Sequence, residues 1–419
     1  MTEAPRTRNP FTRDSPLAAS YLCILLYSAG EAALHLLVPP YLADDLGFGP
    51  ALIGVLSAVF AVSSLVMRLP VGALYSMQRV RMLLLAGGLL SAGAFAVVPL
   101  VSSSVRFGAI MVLDGVGWAL ATTTQLAVLV ASRPVDMTVA SAMGWYSGFT
   151  GLGHAAGGFA AGIVADSLGY GPSFVALALL PVLATAVMFR ALPAQLDAAA
   201  DPVATGATAP AKSKPSMVGA IGAVRTMPMA VYSGALVMFF INYQSGLFNT
   251  FHPVLALAAG LTLTQIGTLT SMRSLASSAT RMSSGALFAR TNGARLTTPM
   301  LVLGAASLWL LPLVRGSFWW QLPIFLGAGL ARGLLRVTGA AEAFEGGGDG
   351  ERAQGMVAAV LHMGLDFGKV AGPPLGGIIA QVFGVPAMFQ ICAVVMLAAY
   401  AIFRFLAVRS ARATQPVSR

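Results

Sequence analysis

The sequence predicts an all-α membrane protein of twelve transmembrane helices, arranged as two pseudo-symmetric six-helix bundles. Three observations predict it: a composition unable to build a water-exposed surface, apolar segments of spanning length, and a repeat between the two halves. Charged residues are 10% of the chain and apolar residues 57%, with a mean hydropathy of +0.79. A soluble domain carries about 25% charged residues. The 419-residue chain is also too long for one soluble core.

Each span needs roughly 20 apolar residues to cross the hydrocarbon layer. Six such segments fall at 17–42, 50–75, 82–102, 107–131, 138–165 and 172–192. Six more fall at 228–256, 263–288, 297–314, 319–341, 353–381 and 386–407. Between the two sets, 193–226 is rich in Pro, Ala, Thr and Asp and carries Lys212, Lys214 and Arg225. The expected organisation is therefore an N-terminal tail (1–16), a first bundle (17–192), a linker (193–226), a second bundle (227–407) and a C-terminal tail (408–419). The N-terminal stretch is polar and basic, without a short apolar run and cleavage site, so it reads as a retained tail. Cys23 and Cys392 lie far apart in apolar segments and suggest neither a disulfide framework nor a metal site.

Basic residues set the orientation, because cytoplasmic loops are enriched in Lys and Arg. With the N-terminus inside, the inner segments hold residues such as Arg6, Arg13, Arg79, Arg81, Arg133, Arg190, Lys212, Arg290, Arg352 and Arg409, and the outer loops only Arg106 and Arg315. The expectation is a multi-pass protein of the inner (cytoplasmic) membrane with both termini and the linker cytoplasmic. The net charge of +10 is then a topology signal. The charges are scattered over short loops, which argues against nucleic acid as a partner.

The halves repeat. Pro40 aligns with Pro253, Gly47 with Gly260, Ile53-Gly54 with Ile266-Gly267, Arg68 with Arg281, and Gly72-Ala73-Leu74 with Gly285-Ala286-Leu287, every pair 213 residues apart (253 − 40). The fifth and eleventh spans correspond at a spacing of 219, Gly153-His154-Ala155-Ala156-Gly157-Gly158 against Gly372-Pro373-Pro374-Leu375-Gly376-Gly377. A constant offset over about 35 residues signals duplication.

These motifs resemble the major facilitator superfamily over nearly the whole chain. That family's loop between spans two and three reads roughly G-x-L-x-D-R-x-G-R-R. Here Gly72, Leu74 and Arg81 are kept, but Ser76 replaces the aspartate; the second copy keeps Gly285 and Arg290 and also lacks the acid. The resemblance assigns these residues, with Arg68 and Arg281, to gating, and leaves the usual gate lock in doubt. In the fourth span Asp114-Gly115 stands where the family has Q-G. The G-P-x-x-G-G motif, associated with antiporters, has His154 in place of proline in the first half and is intact in the second. With Gly364, Gly368 and Asp366 before it, the eleventh span resembles that of bacterial drug and metabolite efflux members.

Glycine at 364, 368, 372 and 376, and at 153, 157 and 158, makes small faces where helix backbones approach closely, with Pro373 shaping the eleventh span. Glu31, Asp114, Arg273, Arg332, Arg336, Asp366 and Lys369 fall at mid-membrane depth. Facing lipid, they would cost ~3 kcal/mol each and on the order of 20 together, so they face protein or a wet cavity. In the resembled fold, spans one, four, seven and ten line the cavity. That implies Glu31 and His35 from span one, Asp114 from span four, Asn242, Tyr243 and Gln244 from span seven, and Arg332 and Arg336 from span ten. Glu31 and His35 are i, i+4, as are Arg332 and Arg336, while Asp366 and Lys369 are i, i+3, so each pair shares a helix face. Asp366 and Lys369 are expected either to neutralise one another or to take part in coupling.

The candidates follow: Glu31, Asp114, His35 and Asp366 for proton coupling, and Arg332, Arg336, Arg273, Asn242, Tyr243 and Gln244 for substrate. His154 is expected to be a packing or hydrogen-bonding histidine. The resemblance implies a monomeric secondary transporter in the lipid bilayer that exports a small amphiphilic or anionic compound by proton antiport with alternating access. The alternatives are a proton-coupled importer of an organic anion or sugar-like metabolite, and a membrane sensor of the same fold. No nucleotide loop, H-E-x-x-H or hydrolase triad suggests an enzyme or a cofactor.

Overall fold

The computed structural model describes residues 16–132, 137, 139–192, 227–288, 293–347 and 351–413. The expected linker and Arg290, together with residues 1–15 and 414–419 of the two tails, lie outside them. The described chain is helical, with no strand: α1 (Pro16–Asp44), α2 (Pro50–Leu74), α3 (Val80–Val97), α4 (Ser104–Ala131), α5 (Val139–Leu168), α6 (Tyr170–Leu177), α7 (Leu179–Ala191), α8 (Met229–Ala258), α9 (Leu263–Phe288), α10 (Gly293–Leu310), α11 (Phe318–Gly346), α12 (Glu351–Phe383) and α13 (Val385–Ala413). Helices α6 and α7 form one span, interrupted at Ala178. Pro181 has no N–H to offer the carbonyl of Leu177, so the helical ladder breaks there.

Eight of the described spans are long and apolar enough to cross a membrane. The other four helices, α5, α8, α9 and α12, have 30, 30, 26 and 33 residues, ample for a crossing, but are richer in Gly, Ser, Thr and charge. Helix α8 is buried along most of its length, so its polar groups meet protein. Outward side chains are apolar: Leu69, Leu100, Val105, Val382 and Phe405 are exposed. In water such a surface would aggregate, whereas lipid tails satisfy it. Trp319 and Trp320 are exposed at the start of α11, where aromatic residues suit a membrane boundary.

The chain forms two compact units. Unit 1 is Met1–Val38 with Val59–Ala204; unit 2 is Pro39–Ala58 with Thr205–Arg419. The division follows the sequence halves except for the end of α1 and the start of α2. That segment packs in unit 2 on α12: a Cβ at Gly54 would strike the Pro373 carbonyl, and one at Gly377 would lie 2.6 Å from the Pro50 carbonyl.

The repeat is visible in the backbone. Gly47 and Gly260, one offset apart, end corresponding helices with φ of 64° and 92°; Gly169 and Gly384 sit with φ of 77° and 81° after α5 and α12. These are left-handed conformations that only glycine takes without cost. Helix pairing repeats too. In unit 1, α5 lies on α1 with Gly153 against Leu25 and Ser28 and Gly157 against the backbone of Ala29. In unit 2, α12 lies on α8 with Gly364, Gly368 and Gly372 against Ala235, Phe239 and Tyr243. Both seams advance one turn at a time in step, so the paired helices run parallel.

Candidate functional site

The ionisable groups of unit 1 converge on Glu31. It is buried at mid-length in α1, its side chain 7% exposed. His35, one turn along the same helix, places Nε2 3.5 Å from Glu31 Oε1. His154 of α5 places Nε2 3.3 Å from Oε2. The carboxylate is therefore bracketed by two imidazoles, one on each oxygen. The histidine side chains are 25% and 32% exposed, more than the carboxylate between them.

The α1–α5 seam makes this possible. Gly153 and Gly157 have no side chain to hold the helices apart, so residue 154 between them comes within reach of α1. His154 Nδ1 lies 2.7 Å from the Thr150 carbonyl. A carbonyl only accepts, so Nδ1 carries the proton and Nε2 is the nitrogen turned to Glu31. His35 is set by Phe60, whose ring meets it edge-on at 5.3 Å.

Asp114 of α4 is buried and shares a small cavity with Glu31, lined also by Tyr27, Phe60, Ser91 and Trp118. Its space for the centre of a water molecule is about 10 Å³, room for a single water and far below a small-molecule site. The Ser91 hydroxyl is buried with no protein hydrogen-bond partner. A cavity lined by two carboxylates and a free hydroxyl suits ordered water.

Unit 2 has a different centre. Arg273 of α9 is 3% exposed, donates from Nη2 to Asn249 Oδ1, and lies 5.0 Å from the Phe248 ring centroid. Arg332 of α11 is within electrostatic reach of Arg273 and Arg281, and Arg336 of Arg281. Nearby, His252 Nε2 lies 2.7 Å from Gln321 Oε1, while Gln321 Nε2 donates to the Arg315 carbonyl at 2.8 Å. The amide orientation makes Nε2 the donor of His252, and its buried Nδ1 has no partner.

Several expectations change. Asn242 and Gln244 donate to the carbonyls of Leu365 and Gly304, at 2.9 and 2.7 Å, and pin α8 to α12 and α10. Tyr243 is buried and stacked on Phe239 at 5.7 Å. Asn242 and Gln244 thus hold α8 to its neighbours, and Tyr243 packs along α8 against Phe239. Asp366 and Lys369 are half-buried and form no ion pair with each other within 4 Å among the described residues. Asp366 stands on α12 in unit 2. Arg281 belongs with the other arginines: its Nε donates to Ser277 O and its Nη2 to Ser278 Oγ.

Of the remaining gating candidates, Arg81 donates to the Leu192 carbonyl at 2.8 Å and lies over Phe189, tying the start of α3 to the end of α7. Arg68 and Gly72 are exposed at the end of α2, and Gly285 lies near the end of α9. His154 makes hydrogen-bonding contacts, one of the two roles expected of it; its partner Glu31 is what the sequence did not name, although a histidine replacing the proline of G-P-x-x-G-G was the available signal. Asn249, the amide under Arg273, had no signal beyond its place on span seven.

Long helices with apolar exteriors and buried ionisable groups, in two repeated units, define a polytopic membrane transporter. The chain belongs to the Major Facilitator Superfamily, whose family model matches residues 20–356. Its fold is similar to the crystal structure of the nucleoside transporter NupG, at a TM-score of 0.73 and 10% identity, covering 93% of this chain and 98% of that one. It is equally similar to a bacterial homologue of the human lysosomal transporter Spinster in an inward-facing, unoccupied conformation, at a TM-score of 0.73 and 15% identity, covering 96% and 98%. No curated protein matches the sequence. Identities this low carry the fold alone.

Proposed function

We propose that the chain is a proton-coupled secondary transporter that exports a small amphiphilic or anionic compound, with Glu31 as the coupling carboxylate and His35 and His154 as its proton partners. The observation that carries this reading is the bracketed Glu31. Because His154 Nδ1 donates to Thr150 O, its Nε2 faces Glu31 either as a lone pair or as an N–H. The contact attracts when the two side chains share one proton, as carboxylic acid with imidazole or carboxylate with imidazolium. With no proton, a carboxylate oxygen meets a nitrogen lone pair and repels it. A change in helix position that separates the two groups therefore changes their interaction.

Asp114, across the shared cavity, is the second carboxylate, with water at Ser91 as the link. The antiporter-like motif of α12 favours export. Energy comes from the gradient, and both termini are assigned to the cytoplasm by the Lys/Arg asymmetry.

The test uses purified protein in proteoliposomes with entrapped pyranine and a panel of organic acids and lipophilic dyes. Wild type should move protons in step with at least one compound. Glu31→Gln should abolish gradient-driven accumulation and retain counterflow of that compound. Accumulation that survives in Glu31→Gln would remove Glu31 from the mechanism and make Asp114 the next carboxylate to substitute.

A further inference from the structure

We propose that unit 2 carries an oxyanion-binding row, Arg273, Arg332, Arg281 and Arg336, that receives the carboxylate or phosphate group of the transported compound. The inference rests on the transporter reading and assigns the substrate's charged group.

The row follows from the packing of α9 on α11. A Cβ at Gly329 would strike the Arg273 carbonyl, and one at Gly333 would come within 2.7 Å of the Ser277 carbonyl. Positions 273 and 329, then 277 and 333, are therefore neighbours, and the two helices run parallel in constant register (329 − 273 = 333 − 277 = 56). The same register sets Arg332 opposite position 276 and Arg336 opposite position 280. Arg332 thus stands between Arg273 and Arg281 along the helix axes, and Arg336 beside Arg281. The electrostatic pairing is the same: Arg273 with Arg332, and Arg281 with Arg332 and Arg336. From Arg273 to Arg281 is eight residues, about 12 Å along the axis at 1.5 Å per residue. Four guanidinium groups thus step down one face of the unit.

The two ends of this row lack an anion of their own. Arg273 is 3% exposed, yet its partners among the described residues are a neutral amide, Asn249, and the face of Phe248. Its Nε–H is buried with no acceptor. Arg336 is half-buried and makes no hydrogen bond or ion pair among the described residues. A buried guanidinium held by neutral groups alone is costly, and a carboxylate or phosphate answers it with a bidentate contact on the fork of Nε–H and Nη–H. Asn249 fixes one arm of that fork and leaves Nε–H to the ligand.

The experiment measures thermal unfolding of the full-length protein in detergent against potassium benzoate, potassium phosphate and potassium chloride at matched ionic strength. Wild type should show a saturable rise in midpoint with benzoate or phosphate and none with chloride. The anion that responds identifies the headgroup chemistry. Arg336→Gln should weaken the response about tenfold in half-saturating concentration, the loss expected for one charged hydrogen bond. Arg273→Gln should abolish it. Arg273→Lys keeps the charge, loses the fork, and serves if the glutamine variant does not fold; it should weaken the response at least as much as Arg336→Gln. No saturable response in wild type, or an undiminished one in both Arg336→Gln and Arg273→Lys, overturns the proposal. Glu31→Gln separates the two readings: it should keep the full anion response while losing gradient-driven transport. Loss of the response in that variant would show that the anion acts at the carboxylate and not at the arginine row.

Discussion

The two units are copies that have been given opposite chemistry. Applying the 213-residue offset, Glu31 corresponds to Gln244 and His35 to Phe248; applying the offset of 219, His154 corresponds to Pro373. Each of these three titratable residues has a neutral counterpart in unit 2. Gln244 donates to a carbonyl, Phe248 lies under Arg273, and Pro373 packs against Gly246. The reverse also holds, since Arg273 corresponds to Phe60. In unit 1 the pair is His35 against the Phe60 ring; in unit 2 it is Arg273 against the Phe248 ring. One helix–helix contact, a nitrogen base beside an aromatic ring, is kept while the partners exchange helices. The scaffold is kept by the repeat, and the two units differ in a handful of side chains: a carboxylate between two imidazoles in one unit, arginines in the other.

The strongest way to break this comparison is to break the seam that both units share. Gly157→Leu would push a side chain into the backbone of Ala29, and Gly368→Leu into that of Phe239. Overpacking of this kind costs about 3 kcal/mol or more when neither backbone can yield. Each variant should lose most of its folded yield and all transport, judged by size-exclusion profile and thermal midpoint. Gly144→Leu, with nothing within 4 Å of the added Cβ, should leave both unchanged. If Gly157→Leu folds normally, the α1–α5 seam does not position His154.

The next effect concerns the histidines. His154→Gln removes the imidazole 3.3 Å from Glu31, so on the proposed coupling role gradient-driven transport should fall by about 10- to 100-fold, the worth of a charge-assisted hydrogen bond of ~1.5–3 kcal/mol. The pH dependence of transport should move with it. His35→Gln, whose contact with Glu31 is longer, should do the same more weakly. An unchanged pH profile in His154→Gln would return that residue to a packing role.

Much of this was legible in the chain. Composition and span length fix the class because lipid leaves few options for backbone groups, and the constant offset from Pro40 to Leu74 reveals the duplication. Buried charge was legible as well, since Glu31, Asp114 and Arg273 sit in apolar runs where no soluble loop fits. Partners were harder to read. A helical period says that Asp366 and Lys369 share a face, but not whether α12 turns them toward one another. It places Asn242 and Gln244 on a cavity helix, but not that carbonyls of α12 and α10 lie nearer than any cavity. The partner of His154 was hidden for a related reason. Its contact with Glu31 depends on how closely α5 approaches α1, which two glycines decide and no single-helix pattern reports.

His252 sharpens the contrast between the units at smaller cost. It is a buried histidine in unit 2 whose named side-chain partner is the neutral Gln321, with the Phe325 ring tilted against it at 4.5 Å. His252→Phe keeps the ring contact and leaves Gln321 Oε1 without its donor. Stability should drop by about 1–3 kcal/mol, the penalty of an unsatisfied buried acceptor, and the pH profile of transport should stay where it is. A shifted profile would mean that unit 2 also holds a coupling proton, and the division drawn above would fail.

The smallest effect belongs to the ion pair between Arg404 of α13 and Glu342 of α11, 3.6 Å apart. It resembles the Glu31 contacts in length and differs in setting, because the arginine side chain is 49% exposed and the glutamate 19%. Water and salt screen such a pair, and ordering two long side chains offsets much of its attraction. Exposed pairs of this kind are worth about 0–1 kcal/mol. Arg404→Ala should therefore change the thermal midpoint by an amount close to measurement error and leave transport and its pH profile intact. The same substitution at high salt should make no difference at all, since the pair is already screened there. A tenfold loss of transport in Arg404→Ala would overturn this: it would show that the ends of α11 and α13 are held together by charge during the cycle, and that the second unit, too, depends on a carboxylate.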